Sequence, residues 1–236
     1  MAEDIKNRRF IYGRRQGHRL HPRQARLVDE LLPTLRFDID KAASLADCFG
    51  TTHQQHVLEI GFGGGEHLAA RAQANRQTGY IGCEPFLNGV AKLLLTIDEE
   101  KIDNIRIYND DARNVLDALG AATLDEIYLL YPDPWPKLRH NKRRFISQEN
   151  LDALFRVLKP GGKLVVASDI ADYLSWTLTH VRRHGGFAWT AARADDWLTP
   201  PEGWPGTRYE AKAIAAGRQP GYLDFTRRQT LSQGAL

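Results

Sequence analysis

Residues 57–65 read VLEIGFGGG, a short, mainly apolar segment that runs directly into a cluster of glycines. Residues 57–60 are typical of a buried strand, and residues 66–75 are typical of a helix. Glycines at 61, 63 and 65 permit a tight turn and leave no side chain between the backbone and an approaching ligand. The stretch therefore predicts a strand, a turn and a helix, with the turn placed where a nucleotide would approach the backbone.

Strands and helical stretches alternate along the chain beyond this unit. Further strands are predicted at residues 80–84, 105–109, 124–131 and 163–167. This alternation indicates βαβ units and a parallel sheet. Two strand-like stretches that flank Gly217 and residues 220–221 are predicted to form an antiparallel hairpin closing the sheet. We expect an α/β, Rossmann-like fold with a seven-stranded, mostly parallel sheet and an antiparallel last strand.

The positive charge of the chain is concentrated at its N-terminus. The 236 residues are 42% hydrophobic, enough for one full core, and the net charge is only +3. Residues 1–26, however, contain eight Lys or Arg side chains against two Asp or Glu. We predict a basic N-terminal arm over residues 1–40 and one folded domain over residues 41–236. Such arms often contact nucleic-acid phosphates, although a tail without a partner has the same composition.

Composition also bears on compartment and metal binding. The first six residues lack the apolar core of a signal peptide, and no segment reaches the roughly 20 apolar residues that span a bilayer. Cys48 and Cys83 have no metal-ligand spacing around them and suit a reducing compartment. We expect a cytoplasmic protein with no membrane segment and no bound metal.

The glycine turn distinguishes between classes of nucleotide cofactor. A dinucleotide-binding turn requires Gly-x-Gly-x-x-Gly, but Glu66 occupies the position of the third glycine. An acid at Glu59, followed by Gly61, Gly63 and Gly65, instead resembles the first motif of the Rossmann-like S-adenosylmethionine-dependent methyltransferases. The resemblance implies that these four residues bind S-adenosylmethionine.

Two more acids follow the next two strands. Glu84 closes the second strand, where a carboxylate can accept hydrogen bonds from both ribose hydroxyls of the cofactor. Asp111 follows the third strand, near the expected position of the adenine amino group. Each acid alone is equally consistent with an ordinary strand end. Because the carboxyl ends of parallel strands line one crevice, however, Glu59, Glu84 and Asp111 are expected to share one cofactor site.

Residues 131–144 read YPDPWPKLRHNKRR and place a carboxylate between two prolines, followed by a basic run. Each proline fixes its own φ and favours an extended conformation for the residue before it, so Asp133 is held in a stiff turn. The turn comes just after the fourth strand, at the edge where open α/β sheets bind ligands. A solvated, proline-rich surface turn is the alternative interpretation.

This segment resembles the Pro-Asp-Pro-Trp block of the tRNA (guanine-N7)-methyltransferases of the single-chain bacterial type, and the likeness extends in order over about residues 8–228. Tyr131 and Pro136 stand where that family has phenylalanine and histidine, while Asp133 and Lys137 match. The resemblance implies a class I methyltransferase fold and methyl transfer from S-adenosylmethionine to N7 of a guanosine in tRNA, the variable-loop guanosine at position 46. We expect no obligate protein partner, and either a monomer or a homodimer.

The resemblance also implies roles for individual residues. Asp133 is the expected catalytic residue and is also expected to contact the cofactor. Its carboxylate would stabilise the charge that develops on the purine, or would accept hydrogen bonds from guanine N1 and N2. The expected substrate-binding residues are Lys137, Arg139, Lys142, Arg143 and Arg144, which would contact phosphates, together with Asp169, Thr207 and Glu210, which match later motifs that include a Thr-x-x-Glu.

Three other functions compete with this interpretation. An adenine-N6 methyltransferase has an Asp-Pro-Pro-aromatic order after its fourth strand, whereas here only one proline follows Asp133 before Trp135. A nicotinamide oxidoreductase is disfavoured by Glu66 in place of the third glycine. A catalytically silent RNA-binding protein would explain the basic segments but not the three acids at the strand ends.

Overall fold

The computed structural model describes residues 11–50 and 53–230, which form a seven-stranded sheet in the order β3-β2-β1-β4-β5-β7-β6. The strands are β1 (Gln55–Ile60), β2 (Thr78–Cys83), β3 (Ile105–Tyr108), β4 (Leu124–Leu130), β5 (Leu158–Ser168), β6 (Phe187–Trp189) and β7 (Gly221–Arg227). β1 to β5 are parallel, and β7 is antiparallel to both β5 and β6. The predicted sheet, including its antiparallel last strand, is confirmed.

Helices cover both faces of the sheet. The α-helices are α1 (Pro22–Glu30), α2 (Leu32–Leu35), α3 (Leu45–Phe49), α4 (Glu66–Ala74), α5 (Leu87–Glu100), α6 (Ala112–Ala118), α7 (Gln148–Val157), α8 (Ala171–His184), α9 (Asp195–Leu198) and α10 (Arg208–Ala215). Short 3-10 helices occupy Ile39–Lys41 and Leu138–Arg143. Because side chains alternate between the faces of a strand, Leu58 and Ile60 pack into one apolar cluster while Val57 packs into the other. The continuous apolar runs of the central strands reflect this burial on both sides.

Part of the predicted basic arm belongs to the core. Leu27, Leu35 and Phe37 are buried, and the Phe37 N–H donates a 2.8 Å hydrogen bond to the Ile107 carbonyl of β3. Residues 1–10 lie outside the described residues. Between these parts, the Arg15 carbonyl accepts a 2.9 Å hydrogen bond from the Leu87 N–H at the start of α5. Residues 22–37 are therefore an edge of the folded domain, and the chain before them crosses the beginning of α5.

The predicted hairpin around Gly217 and residues 220–221 is wrong. The chain before Gly217 forms the helix α10, and β7 pairs with β5 and with the earlier strand β6. A capping box explains the difference. The Thr207 side chain accepts a hydrogen bond from the Glu210 N–H, and the Glu210 carboxylate accepts one from the Thr207 N–H, which satisfies backbone donors that a helix start leaves open.

The strand register places the predicted site at one edge of the sheet. Ile60 at the end of β1 is level with Cys83 at the end of β2 and with Leu129 in β4. Cys83 is in turn level with Tyr108, the last residue of β3. The glycine turn and the acids that follow β2, β3 and β4 therefore leave the sheet side by side.

The burial of Phe37 predicts that the segment after α2 stabilises the whole domain. We expect Phe37→Ala to lower the free energy of unfolding by about 3 to 5 kcal/mol, because it leaves a cavity between that segment and the sheet. Arg36→Ala, at an exposed neighbouring position, should change it by no more than about 0.5 kcal/mol. Urea unfolding followed by circular dichroism measures both. A loss for Phe37→Ala no larger than that of the control would place the segment outside the cooperative core.

Candidate active site

A cleft of about 730 Å³ lies at the carboxyl edge of the sheet. Its volume is in the range of sites that bind cofactors and other small molecules. The glycine turn and the ends of β2 and β3 line it, together with residues 131–133, 135 and 142–145. Residues 11–14 also contribute to the lining, so the chain before α1 forms part of the wall.

The glycine turn requires its glycines. Gly61, Gly63 and Gly65 have φ values of 72°, 59° and 80°, a region that side chains other than glycine rarely adopt. A Cβ added at Gly65 would lie 2.7 Å from the Leu93 side chain, and one at Gly89 of α5 would clash with the carbonyl oxygen of Gly63. The turn therefore packs directly against α5, with Gly61 and Gly63 exposed to the cleft.

Glu84 connects the end of β2 to this turn. One carboxylate oxygen accepts a 2.7 Å hydrogen bond from the Gly63 N–H, and the other accepts a 2.9 Å hydrogen bond from the Phe86 N–H. The side chain is only 8% exposed, and this burial raises its pKa, whereas the two N–H donors act in the opposite direction. Each oxygen keeps a further lone pair, so the oriented carboxylate can accept hydrogen bonds from a ligand in the cleft.

Asp111 and Glu59, the other two predicted acids, have partners that the sequence did not indicate. Asp111 caps α6 by accepting a 3.0 Å hydrogen bond from the Arg113 N–H, and it forms an ion pair with the Arg113 guanidinium. Glu59 is buried, and one carboxylate oxygen lies 2.7 Å from His67 Nδ1. Asp111 lines the cleft, whereas Glu59 lies outside its lining residues. Sequence reasoning missed His67 as the partner of Glu59, because the only indication of it in the sequence is its position on the first helix after the glycines.

Asp133 occupies a strained turn that opens into the cleft. The residues at both ends of the turn, Tyr131 and Trp135, have positive φ values of 49° and 43°. Such conformations cost about 1–3 kcal/mol each for residues other than glycine, so the surrounding structure must hold them. Among the described residues, no group forms a hydrogen bond or ion pair with the Asp133 carboxylate. The cleft walls partly desolvate it and raise its pKa.

The five basic residues predicted after Trp135 fall into two groups. Lys137, Arg139 and Lys142 are exposed. The Arg143 guanidinium lies 4.4 Å from the ring centre of Tyr12 and 4.8 Å from that of Trp135. Arg144 is buried: its Nε donates a 2.9 Å hydrogen bond to the Pro134 carbonyl, and it forms an ion pair with Asp172. Three of the five are therefore exposed to solvent, Arg143 lines the cleft between two aromatic rings, and Arg144 is enclosed.

The three C-terminal residues predicted to bind substrate also have internal partners. Asp169 forms an ion pair with Arg218 at 2.5 Å. Thr207 caps α10, and Glu210 accepts hydrogen bonds from the Trp204 indole and the Tyr222 hydroxyl.

Tyr209, which lies between Thr207 and Glu210, reaches the cleft, and the sequence pattern did not single it out. Its ring lies 3.0 Å from the position of a Cβ added at Gly63, and it is 45% exposed. An aromatic residue inside the Thr-x-x-Glu motif was the signal available for it.

The structure also bears on metal binding, on the two cysteines and on membrane-spanning segments. Within residues 11–50 and 53–230, no three His, Cys, Asp or Glu side chains are grouped so as to hold a metal ion. Both cysteines are free, and burial raises the pKa of the Cys83 thiol. No helix of the described part of the chain has the length and apolar character needed to cross a membrane.

Solved structures with a similar fold include methyltransferases. A 16S rRNA methyltransferase, KamB, matches with a TM-score of 0.56 and 16% sequence identity, over 75% of this chain and 89% of that chain. An rRNA methylase from Streptococcus thermophilus matches with a TM-score of 0.50 and 12% identity, over 90% of this chain and 100% of that chain. At these identities the likeness shows the fold alone, a class I methyltransferase fold.

Similarity in sequence identifies the family. Residues 53–221 match the sequence profile of a family described as "Putative methyltransferase". A tRNA (guanine-N(7)-)-methyltransferase of Agrobacterium fabrum is 52% identical over 97% of this chain and 100% of that protein. An enzyme of the same name from Rhizobium meliloti is 56% identical over 92% of this chain and 94% of that protein. The chain therefore belongs to the tRNA (guanine-N(7)-)-methyltransferase family.

Proposed function

We propose that this protein transfers a methyl group from S-adenosylmethionine to N7 of a guanosine in tRNA, the variable-loop guanosine at position 46. The observation that carries the proposal is the Asp133 carboxylate, which opens into the cleft beside the glycine turn and has no partner among the described residues. The relatives named as tRNA (guanine-N(7)-)-methyltransferases support the choice of substrate.

The cleft fits the cofactor at three places. The turn at Gly61 and Gly63 brings backbone without side chains to the cleft surface. Each Glu84 oxygen accepts one backbone hydrogen bond and can accept a second from a ribose hydroxyl. Asp111 lies farther along the same wall, where it would face the adenine end. When bound, the cofactor supplies an electrophilic sulfonium methyl group. Glu59 would support the glycine turn from outside the cleft, and His67 would hold the Glu59 carboxylate in place.

The reaction requires orientation and charge stabilisation more than proton transfer. Guanine N7 has a free lone pair and carries no proton at neutral pH, so attack on a methyl group needs no general base. The purine becomes cationic as the new N–C bond forms, and a fixed carboxylate nearby favours that charge. Asp133 serves this role, or it accepts hydrogen bonds from guanine N1 and N2 and orients the base. Both roles require the carboxylate to be ionised.

The substrate side of the cleft is basic. Lys137, Arg139 and Lys142 project from the 3-10 helix region beside the turn, where they would contact phosphates around the target nucleotide. Arg14 lines the cleft as part of the N-terminal segment. Asp169, Thr207 and Glu210 would affect substrate binding through the segments that they hold in place. Tyr209, which lies between Thr207 and Glu210, has its ring in the cleft.

Methylation of total tRNA with cofactor labelled in its methyl group tests the proposed function. Nucleoside analysis should recover the label as 7-methylguanosine, and mapping should place it at position 46. Label in N6-methyladenosine or 1-methylguanosine would overturn the proposed target atom. Absence of cofactor binding by calorimetry would favour a silent RNA-binding protein instead.

Glu84 provides a test of the cofactor site. We expect Glu84→Ala to weaken binding of S-adenosylmethionine by about 1 to 3 kcal/mol, because the ribose hydroxyls lose a charged acceptor and the glycine turn loses a hydrogen bond. Isothermal titration calorimetry measures the change. Glu100→Ala, at the exposed end of α5, is the control and should bind normally. Equal affinity in the two variants would remove Glu84 from the site.

Asp133 provides a test of catalysis. Asp133→Asn keeps the size of the side chain but removes its charge, and we expect turnover on saturating tRNA to fall by roughly two orders of magnitude, as for the loss of other preorganised groups at a reacting centre. Because the pKa of Asp133 is raised, the rate of the wild type should also decline on acidification at a higher pH than an ordinary aspartate, with a pKa of about 3.9, would produce. Asp195→Asn, at an exposed position on α9, should leave turnover unchanged. Near-normal turnover of Asp133→Asn would assign the aspartate to structure alone.

The exposed basic side chains predict that tRNA binding weakens as the salt concentration rises. We expect Lys137→Gln, Arg139→Gln and Lys142→Gln each to weaken tRNA binding and to flatten the plot of log affinity against log salt by about 0.7 to 0.9. The methylated base and the affinity for S-adenosylmethionine should not change. Neutralising Lys163, Arg182 and Arg183, which are exposed at the opposite edge of the sheet, is the matched control. A slope that stays constant in the loop variants would contradict phosphate contact there.

The same measurement extends to the N-terminal arm. Deleting residues 1–10 removes Lys6, Arg8 and Arg9 and leaves the contacts of Arg15 in place. If this part of the arm binds the RNA backbone, the deletion should reduce tRNA affinity and the salt slope together. A deletion variant that behaves like the full chain would show that the arm before residue 11 takes no part in RNA binding.

A further inference from the structure

Arg144 differs from the other basic residues of its segment because it is buried. It is 3% exposed, whereas Lys137, Arg139 and Lys142 are exposed. The guanidinium lies 4.9 Å from the ring centre of Trp176 and 5.7 Å from that of Tyr173, both on α8. A cation enclosed in this way must find its hydrogen-bond acceptors inside the protein, because leaving a buried charge without partners is costly.

The acceptors of Arg144 belong to two different parts of the fold. Nε donates a 2.9 Å hydrogen bond to the carbonyl of Pro134, the residue directly after Asp133. A terminal nitrogen forms an ion pair with Asp172 in the first turn of α8. The planar guanidinium thus links the turn that carries Asp133 to a helix that packs on the sheet. Lysine cannot reproduce this arrangement, because its single ammonium group does not present a rigid fork of donors.

Hydrogen bonds of backbone groups tie both ends of the turn to the rest of the domain. At its start, the Tyr131 N–H donates a 2.8 Å hydrogen bond to the Ala167 carbonyl of β5. At its end, Pro134 has no N–H to donate, and its carbonyl accepts the hydrogen bond from Arg144 Nε. Asp133 lies between these two ties, in a turn whose ends both have positive φ values.

We propose that Arg144 is a positioning residue that holds the turn of residues 131–135 and so fixes the Asp133 carboxylate in the cleft. This inference rests on the proposed function, in which Asp133 acts on the guanine. Arg144 does not contact RNA. It acts through Pro134, and its loss leaves Asp133 present but free to leave the geometry that the reaction needs.

Kinetic analysis of Arg144→Ala and Arg144→Lys tests the inference on the full chain. We expect Arg144→Ala to lower kcat on saturating tRNA by about tenfold or more, since small displacements at a reacting centre have large effects on rate. KM for tRNA, the affinity for S-adenosylmethionine and the salt slope of tRNA binding should stay within about twofold of the wild type. Arg144→Lys should give an intermediate kcat, because it keeps the charge but cannot bond both acceptors.

Arg227 offers a matched control. Its Nε donates a 2.9 Å hydrogen bond to the Phe155 carbonyl, and its guanidinium lies 4.1 Å from the Phe155 ring centre, but it is on β7 near the opposite edge of the sheet. Arg227→Ala therefore removes the same types of contact away from the cleft. It should lower thermal stability while leaving kcat unchanged.

Hydrogen exchange gives a readout that does not depend on activity. We expect peptides covering residues 131–147 to exchange faster in Arg144→Ala than in the wild type, and to be unchanged in Arg227→Ala. If Arg144→Ala does not fold, Arg144→Lys and Asp172→Asn allow the same comparison. Unchanged exchange in this segment, or an unchanged kcat, would overturn the positioning role.

Two further outcomes separate this inference from the others. A salt slope reduced by about 0.7 to 0.9 with kcat preserved would make Arg144 a phosphate contact and overturn the positioning role. A wild-type enzyme that forms no 7-methylguanosine overturns the proposed function, and the exchange experiment then decides the structural link between Arg144 and the turn by itself.

Discussion

Parallel hydrogen bonding between the central strands sets the position of the groups that line the cleft. β1 pairs with β2 on one side and with β4 on the other, so the three strands end together. The chain adds a different feature at each exit: the glycine turn after β1, Glu84 after β2 and the turn of Asp133 after β4. A slip of one residue in any strand would turn its buried side chains to the other face, so the apolar core and the alignment of the site depend on the same register.

The sequence predicted most of the sheet and the residues at its carboxyl edge, because strand periodicity and glycine spacing are local signals. It did not predict which groups those residues contact. Glu59 pairs with His67 and Asp111 with Arg113, but nothing local to a carboxylate shows whether its partner will be another side chain or a ligand. The Thr-x-x-Glu motif shows the same limit. It was interpreted as a substrate motif, so the helix that begins at its capping box was not predicted.

Charge counting was least informative where charged and apolar residues are interleaved. The excess of Lys and Arg in residues 1–26 predicted an arm, yet Leu27, within five residues of Arg23 and Arg26, is buried against the domain. The adjacent residues Arg143 and Arg144 show the effect at the smallest scale. One lies against the rings of Tyr12 and Trp135, and the other is enclosed beside α8. Composition describes them as equal, and only the packing of the loop separates them.

The contact between Phe37 and β3 also has a consequence for self-association. β3 is the outermost strand on its side of the sheet, and an outer strand with free backbone groups is a template for pairing with another molecule. Here the Phe37 N–H occupies the Ile107 carbonyl, and Arg36 forms a bridge with the same residue. At the other side, the outermost strand β6 is only three residues long. Both borders of the sheet thus offer little template for aggregation, and on one side the protection comes from a segment outside the βαβ units.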